Sequence, residues 1–174
     1  MNIIEKFNPK NSLELFGYNE YFNNLRNLIL TENFPKVLLI SGKKGLGKST
    51  LINHLLHYFY DRDNYDLKNH KILKQSKFHS QFLENTYPNI IYLSGSEYSN
   101  IKIDDIRIIK NKLLQTPIDN NKRFIIFDDV DLFNVQSLNA LLKIIEEPGI
   151  YNHFILINNN EKNLIDTLKS RCLE

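Results

Sequence analysis

A parallel α/β sheet covered by helices on both faces is the fold class that this sequence of 174 residues predicts. Three observations point to it. Short apolar runs rich in Ile, Leu, Phe and Val recur at Val37 to Ile40, Asn89 to Ser94, Arg123 to Asp129 and His153 to Ile157, the kind of strand buried on both sheet faces. Helical periodicity fills segments between them, as βαβ units require. The first of these strands also runs into a glycine-rich turn and then a helix, the order Lys36-Val-Leu-Leu-Ile-Ser-Gly-Lys-Lys-Gly-Leu-Gly-Lys-Ser-Thr50.

Composition bounds what surrounds that turn. A hydrophobic fraction of 42% is ample for one core, and the chain reads as one domain over residues 1–174. A net charge of +2 gives no global argument for nucleic acid or a membrane surface. The single cysteine, Cys172, excludes an internal disulfide and a cysteine-clustered zinc site, so no zinc is expected and a reducing cytoplasm fits. Met1 to Asn11 has no apolar signal-peptide core, and no later run reaches membrane-spanning length, so a cytoplasmic protein with no membrane partner is expected.

In chain order, Leu15-Phe-Gly-Tyr18 precedes a helical pattern through Tyr21, Phe22, Leu25, Leu28 and Ile29, which fall on one face. Thr31 to Pro35 breaks it. Gly42 to Ser49 fits G-x-x-x-x-G-K-[ST] at every fixed position, which reads as a phosphate-binding loop. Its glycines let successive N–H groups converge on phosphate oxygens, and the following helix adds its positive end. Gly42, Lys43, Lys44, Gly45, Leu46, Gly47, Lys48, Ser49 and Thr50 are therefore the candidate nucleotide-binding residues. Lys48 is placed to reach β- and γ-phosphates, and the Ser49 hydroxyl to hold Mg²⁺. Thr50 to Tyr60 continues as a helix with Leu51, Ile52, Leu55, Leu56 and Phe59 inward, and His54 and His57 read as packed or solvated rather than metal-binding.

Asp61 to Tyr87 is polar, with Lys68, Lys71, Lys74 and Lys77 about one helical turn apart, a row that reads as a solvated face. Asn89 to Ser94 is the second strand, bounded by Pro88 and Gly95. Ile103-Asp-Asp-Ile-Arg107 opens a helix that Asp104 or Asp105 can cap, with Ile106, Ile109, Leu113 and Leu114 as its buried stripe, and Pro117 to Asn121 turns the chain. Arg123 to Asp129 is a strand ending in two carboxylates. Ligands of open parallel sheets lie beyond the strands' carboxyl ends, so Asp128 is the candidate to organise Mg²⁺ through its water shell.

The blocks Ser137-Leu-Asn-Ala-Leu-Leu-Lys-Ile-Ile-Glu-Glu-Pro148 and Ser170-Arg-Cys172, with the phosphate loop and Asp128 upstream, make the chain resemble the AAA+ clamp-loader subunits of DNA replication. The likeness is closest to the delta-prime type of bacterial DNA polymerase III and runs over nearly the whole chain. It implies a P-loop NTPase fold of the RecA-like AAA+ kind, ATP and Mg²⁺ as cofactors, and a place in a hetero-pentameric ring that opens the sliding clamp at primed DNA. It implies that Arg171 is an arginine finger offered to a neighbouring subunit's ATP and that Asn159 is the sensor facing the γ-phosphate.

The departures from that pattern matter as well. Hydrolysing subunits of the family carry Glu after the acid at the end of the strand, where this chain has Asp129, one methylene shorter. A general base must come within about 3 Å of its proton, so the shorter acid should position water poorly. The expectation is nucleotide binding with weak or no hydrolysis, the alternative being an ATP-hydrolysing motor of clamp-loader or helicase-loader type. The resemblance also implies a fifth strand, a helical lid and a collar domain after Ser-Arg-Cys, whereas this sequence stops at Glu174, and a four-cysteine zinc module where Asp61 to Tyr87 stands.

Overall fold

The computed structural model describes residues 8–96, 103–117 and 121–174. Six helices, α1 (Asn19–Leu30), α2 (Lys48–Tyr60), α3 (Lys77–Leu83), α4 (Ile103–Leu113), α5 (Val135–Ile145) and α6 (Asp166–Lys169), are found among those residues. The strands there are β1 (Val37–Ser41), β2 (Tyr65–Asp66), β3 (Lys71–Ile72), β4 (Ile90–Ser94), β5 (Arg123–Asp128) and β6 (Asn152–Asn158). The chain divides into two compact units, Met1–Phe34 with Gly47–Tyr87, and Pro35–Leu46 with Pro88–Glu174.

The second unit holds a parallel sheet in the order β1-β6-β5-β4. Its registers pair Ser41 with Asn158 and Ser94 with Asp128, so the strands reach their carboxyl ends nearly level. Beyond β1, Leu173 adds a parallel bridge to Leu38, with Leu39 N–H donating to Leu173 O at 2.8 Å and Leu173 N–H to Val37 O at 3.0 Å. Alternate side chains explain the packing: Val37, Leu39, Ile125, Phe127, Phe154 and Leu156 meet Ile106 and Ile109 of α4, Leu138, Leu141, Ile144 and Ile145 of α5, and Leu168 of α6. Phe124, Ile126, Ile155 and Ile157 point to the other face and are equally buried. Asn134 caps α5, its side chain accepting from Ser137 N–H at 2.9 Å, and Pro148 follows the helix closely.

The first unit is built on α1, α2, α3 and the β2–β3 hairpin, with an aromatic core. Phe22 stacks on Tyr65 at 5.5 Å between centroids and meets the edges of Tyr58 and His70. His54 donates from Nε2 to Ser12 O and accepts the Tyr65 hydroxyl at Nδ1, both at 3.0 Å. His57 donates from Nδ1 to Asn53 O at 2.8 Å, which leaves Nε2 to accept from His79 Nδ1 at 3.0 Å. Both histidines are thus packed, as expected. Burial holds each down at about 4, because a charged ring would be desolvated there.

Several expectations change in detail. Tyr21 is 62% exposed and pairs rings with Tyr18, while Phe22 and Ile29 carry the buried stripe of α1. Phe59 is only half-buried, whereas Lys48 and Leu51 through Tyr58 are buried, so α2 is buried nearly all round, polar residues included. The lysine row is not one helical face: Lys71 lies in β3 and Lys77 opens α3. Asp66 folds the intervening turn by accepting from the N–H groups of Lys68 and Asn69, the Asx geometry that favours a hairpin. Leu114 is 79% exposed just after α4 ends. Asp104 and Asp105 lie within the first turn of α4 rather than before it, and Asp104 pairs with Arg107 at 2.9 Å. Of the turn assigned to Pro117 to Asn121, residues 118–120 lie outside the described residues.

The histidines make a pH prediction. Their folded values lie below the ordinary 6.5, so the unfolded chain binds more protons between pH 6.5 and 4. Stability is fully present above 6.5 and falls as the pH drops to 4, by up to about 3 kcal/mol per ring. Urea unfolding across this window should show proton uptake, to which these two rings contribute about two protons. His57→Leu should remove about one of them, and a flat profile in the wild type would contradict neutral buried rings.

Candidate functional site

Every strand of the parallel sheet is apolar through its middle and polar where it ends. β1 ends in Ser41, β4 in Ser94, β5 in Asp128 and β6 in Asn158. The near-level registers gather those ends, and Asn158 Nδ2 lies 3.4 Å from Ser41 Oγ. The loop leaving β1 runs through Gly45 and Gly47, whose φ angles of +81° and +88° are conformations that side chains rarely adopt. It ends at Gly47, the left-handed residue preceding α2, a helix of 13 residues. Within the first unit, Lys48 is buried at the start of α2, with Ser49 and Thr50 half-buried in the same turn.

In the second unit, Lys44 reaches from the loop to two acids, Glu161 at 2.9 Å and Asp129 at 3.8 Å. The Glu161 hydrogen bond leads the effects that raise the Lys44 ammonium's pKa. Lys43 and Leu46 are exposed, and so is Gly45. The oxygens of Asp128 carry the Tyr92 hydroxyl at 2.6 Å and the Asp129 N–H at 2.9 Å. A carboxylate oxygen accepts more than one donor, so this fixes the group's orientation while leaving acceptor capacity for a metal's water shell. Among the described residues, no group of three or more His, Cys, Asp or Glu is placed to hold a metal by itself.

Asp129 is the most constrained of the acids. It sits in the left-handed region at φ 52°, which Asp tolerates better than most residues but which still marks local strain. Asn159 donates its amide to Asp129 Oδ1, and Ser94 Oγ donates to Oδ2 at 3.1 Å. Burial alone would raise this carboxyl; hydrogen bonds from Ser96, Asn159 and Ser94, with the charge of Lys44, outweigh it and hold the group below the usual carboxylate range. A carboxylate that already accepts from Ser94 and Asn159 and is held below the usual range is a poor proton acceptor near neutral pH. Gly95 packs against this bend: a Cβ there would lie 2.6 Å from Asp129 O.

Three expected residues, Asp128, Asp129 and Asn159, therefore meet around one strand-end cluster, and Asn159 rather than Asn158 carries the contact to Asp129. Arg171 does not join them. It follows α6, donating to Thr167 O at 2.7 Å and pairing with Glu146 at 2.8 Å, in a groove lined by Pro35, Lys36 and Val37. That groove lies at the start of β1, and the phosphate loop leaves its far end, roughly 13 Å along a five-residue strand. Cys172 is a packed thiol, its Sγ 3.1 Å from Leu168 O, and burial pushes it up to about 11. Asp131, Glu161, Ser94 and Tyr92 were not among the expected site residues. Their one shared signal is that each lies at, or within three residues of, the end of a buried apolar run.

A parallel sheet with a G-x-x-x-x-G-K-S loop after β1 and an acid closing β5 defines a P-loop domain of the AAA+ kind. Solved structures share this fold: a DNA polymerase III gamma-subunit-related protein from Thermotoga maritima has a TM-score of 0.54 at 24% identity, over 87% of this chain and 44% of that one. RuvB from the same organism also scores 0.54, at 18% identity over 91% of this chain and 43% of its own. The chain belongs to the clamp-loader family described as DNA polymerase III, delta subunit, whose model matches residues 17–174.

Relatives agree with that assignment. A putative replication factor C small subunit of Acanthamoeba polyphaga mimivirus is 27% identical over 180 residues, 99% of this chain and 48% of that protein. The DNA polymerase III subunit tau/gamma of Haemophilus influenzae is 24% identical over 178 residues, 99% of this chain and 24% of its own length. The DNA polymerase III subunit delta' of Buchnera aphidicola subsp. Schizaphis graminum is 35% identical over 88 residues, 51% of this chain and 27% of that protein. The chain thus spans about half, or less, of these relatives' lengths.

Proposed function

We propose that this chain is the nucleotide-binding core of a delta-prime-type clamp-loader subunit that binds ATP, hydrolyses it weakly or not at all, and acts on a neighbour's site. The observation that carries this reading is the engagement of Asp129, whose carboxylate accepts from Ser94 and Asn159 and lies 3.8 Å from the Lys44 ammonium. Lys48 would hold the β- and γ-phosphates of a magnesium-bound ATP, Gly42 to Thr50 would supply backbone N–H groups to them, and Ser49 and Asp128 would serve the metal, whose charge would offset that of the phosphates. Asn159 faces the γ-phosphate as sensor. Arg171 belongs to another site, because it lies at the opposite end of β1 from its own loop. Its partners are the other subunits of a hetero-pentameric loader, the sliding clamp and, through the assembly, primed DNA in the cytoplasm.

A motor reading has one observation in its favour, the intact loop from Gly42 to Ser49. The two readings part at Asp129: a motor needs a base able to accept water's proton, and the donors around this one hold it below the usual carboxylate range.

Lys48→Ala should weaken ATP binding about ten- to hundredfold, the worth of a charge-assisted contact to phosphate, while the domain stays folded. Titration calorimetry reads the affinity, and equal binding by both forms would remove Lys48 from the site.

Arg171→Ala tests the action in trans. During phosphoryl transfer charge spreads over the γ-phosphate oxygens, and an arginine supplied by a neighbour is worth about 10³–10⁵ in rate at the site it serves. In a full-length subunit reconstituted with wild-type partners, the substitution should leave the subunit's own ATP affinity unchanged and lower clamp- and DNA-stimulated hydrolysis, with residual turnover from the other sites. Wild-type rates in a mutant complex that assembles would make Arg171 a surface residue.

A further inference from the structure

One buried acid has so far been given no function. Asp131 lies in the single 3₁₀ turn after β5, Val130–Leu132, and is 4% exposed. Its carboxylate receives three backbone donors from the segment that follows β6: Asn159 N–H at 3.1 Å on Oδ1, and Glu161 N–H at 2.7 Å and Lys162 N–H at 3.3 Å on Oδ2. Few groups satisfy a buried carboxylate as well as converging amides, and each bond is charge-assisted. Asn158 and Asn160 tighten the same bend, with Asn158 Oδ1 accepting Asn160 N–H at 3.0 Å and Asn160 at φ 57°.

Two polar side chains leave this bend, and both reach the strand-end cluster. Asn159 touches Asp129, and Glu161 holds Lys44 of the phosphate loop at 2.9 Å. We propose that Asp131 is a positioning residue: by gripping the backbone of residues 159–162 it sets Asn159 and Glu161 against Asp129 and Lys44, so that this bend distinguishes a triphosphate from a diphosphate. The inference rests on the nucleotide reading above. A γ-phosphate competes for two groups the bend controls, the Asn159 amide and the Lys44 ammonium, whereas a diphosphate ends short of them. The selectivity therefore depends on where the bend is held. Asp131 reaches Asn159 only at its backbone N–H and acts on Lys44 only through its charge, so its loss should change discrimination rather than basic affinity.

Asp131→Asn keeps the shape but turns one acceptor into an N–H₂ group facing backbone donors. In titrations of ATP and ADP, the variant should bind ADP as the wild type does and ATP about tenfold more weakly, the effect of one or two misplaced hydrogen bonds. Hydrogen exchange at the amides of Glu161 and Lys162 should quicken in the same variant. Should Asp131→Asn fail to fold, Asp131→Glu, which keeps the charge and moves the oxygens by one methylene, is read in the same way. An unchanged ATP-to-ADP ratio, or equal losses for both nucleotides, would overturn the positioning role. Lys48→Ala separates this from the reading beneath, because it should weaken both nucleotides together. A wild type that binds neither nucleotide ends the nucleotide reading and this inference with it, whereas a binding wild type with an indifferent Asp131→Asn ends the inference alone.

Discussion

The near-level register of the parallel strands is the constraint on which the rest of this structure depends. Ser41 stands opposite Asn158 and Ser94 opposite Asp128, so polar residues that are far apart in the chain emerge at one edge of an apolar sheet. A one-residue slip in any strand would exchange its two faces and move its terminal polar group away. The continuous apolar character of β5 and β6, both buried throughout, makes that slip costly. The sheet thus stabilises the domain and aligns the candidate site by the same interactions.

Within that frame the acids are given different environments. Asp128 is oriented by Tyr92 and by its neighbour's N–H, which suits a group that arranges a metal's water. Asp129 is turned into the left-handed region and accepts from Ser94 and Asn159. Asp131 is turned inward to hold backbone amides. Three carboxylates within four residues therefore take three roles, set by what surrounds each rather than by their intrinsic chemistry. The first unit meets a different demand. Its histidines and tyrosines form a packed aromatic core around α2, and buried rings stay neutral by finding carbonyl, hydroxyl and imidazole partners.

Much of this was legible in the sequence for identifiable reasons. The octapeptide from Gly42 to Ser49 and the apolar runs of β1, β4, β5 and β6 carry strong local patterns, so their type and place follow directly. Stripe edges were not legible: periodicity placed Phe22, Ile106 and Ile109 correctly but could not say that the stripe stops short of Tyr21 and Leu114. The lysine row lies at the surface as read, but not on one helix, because spacing of about one helical turn also fits a hairpin whose turn is closed by Asp66. Asp131 and Glu161 were invisible because their partners lie about thirty residues away or across the loop, and no local pattern encodes such a contact.

The engagement of Asp129 bears most directly on what the protein does, and steady-state turnover measured beside binding tests it. With saturating Mg²⁺ and ATP, a chain whose acid is held by Ser94, Asn159 and Lys44 should bind the nucleotide and hydrolyse it far below the roughly 1–10³ s⁻¹ of ordinary enzymes. Turnover within that range would mean that Asp129, or another group, accepts water's proton readily, and would contradict a binding subunit that acts on its neighbour.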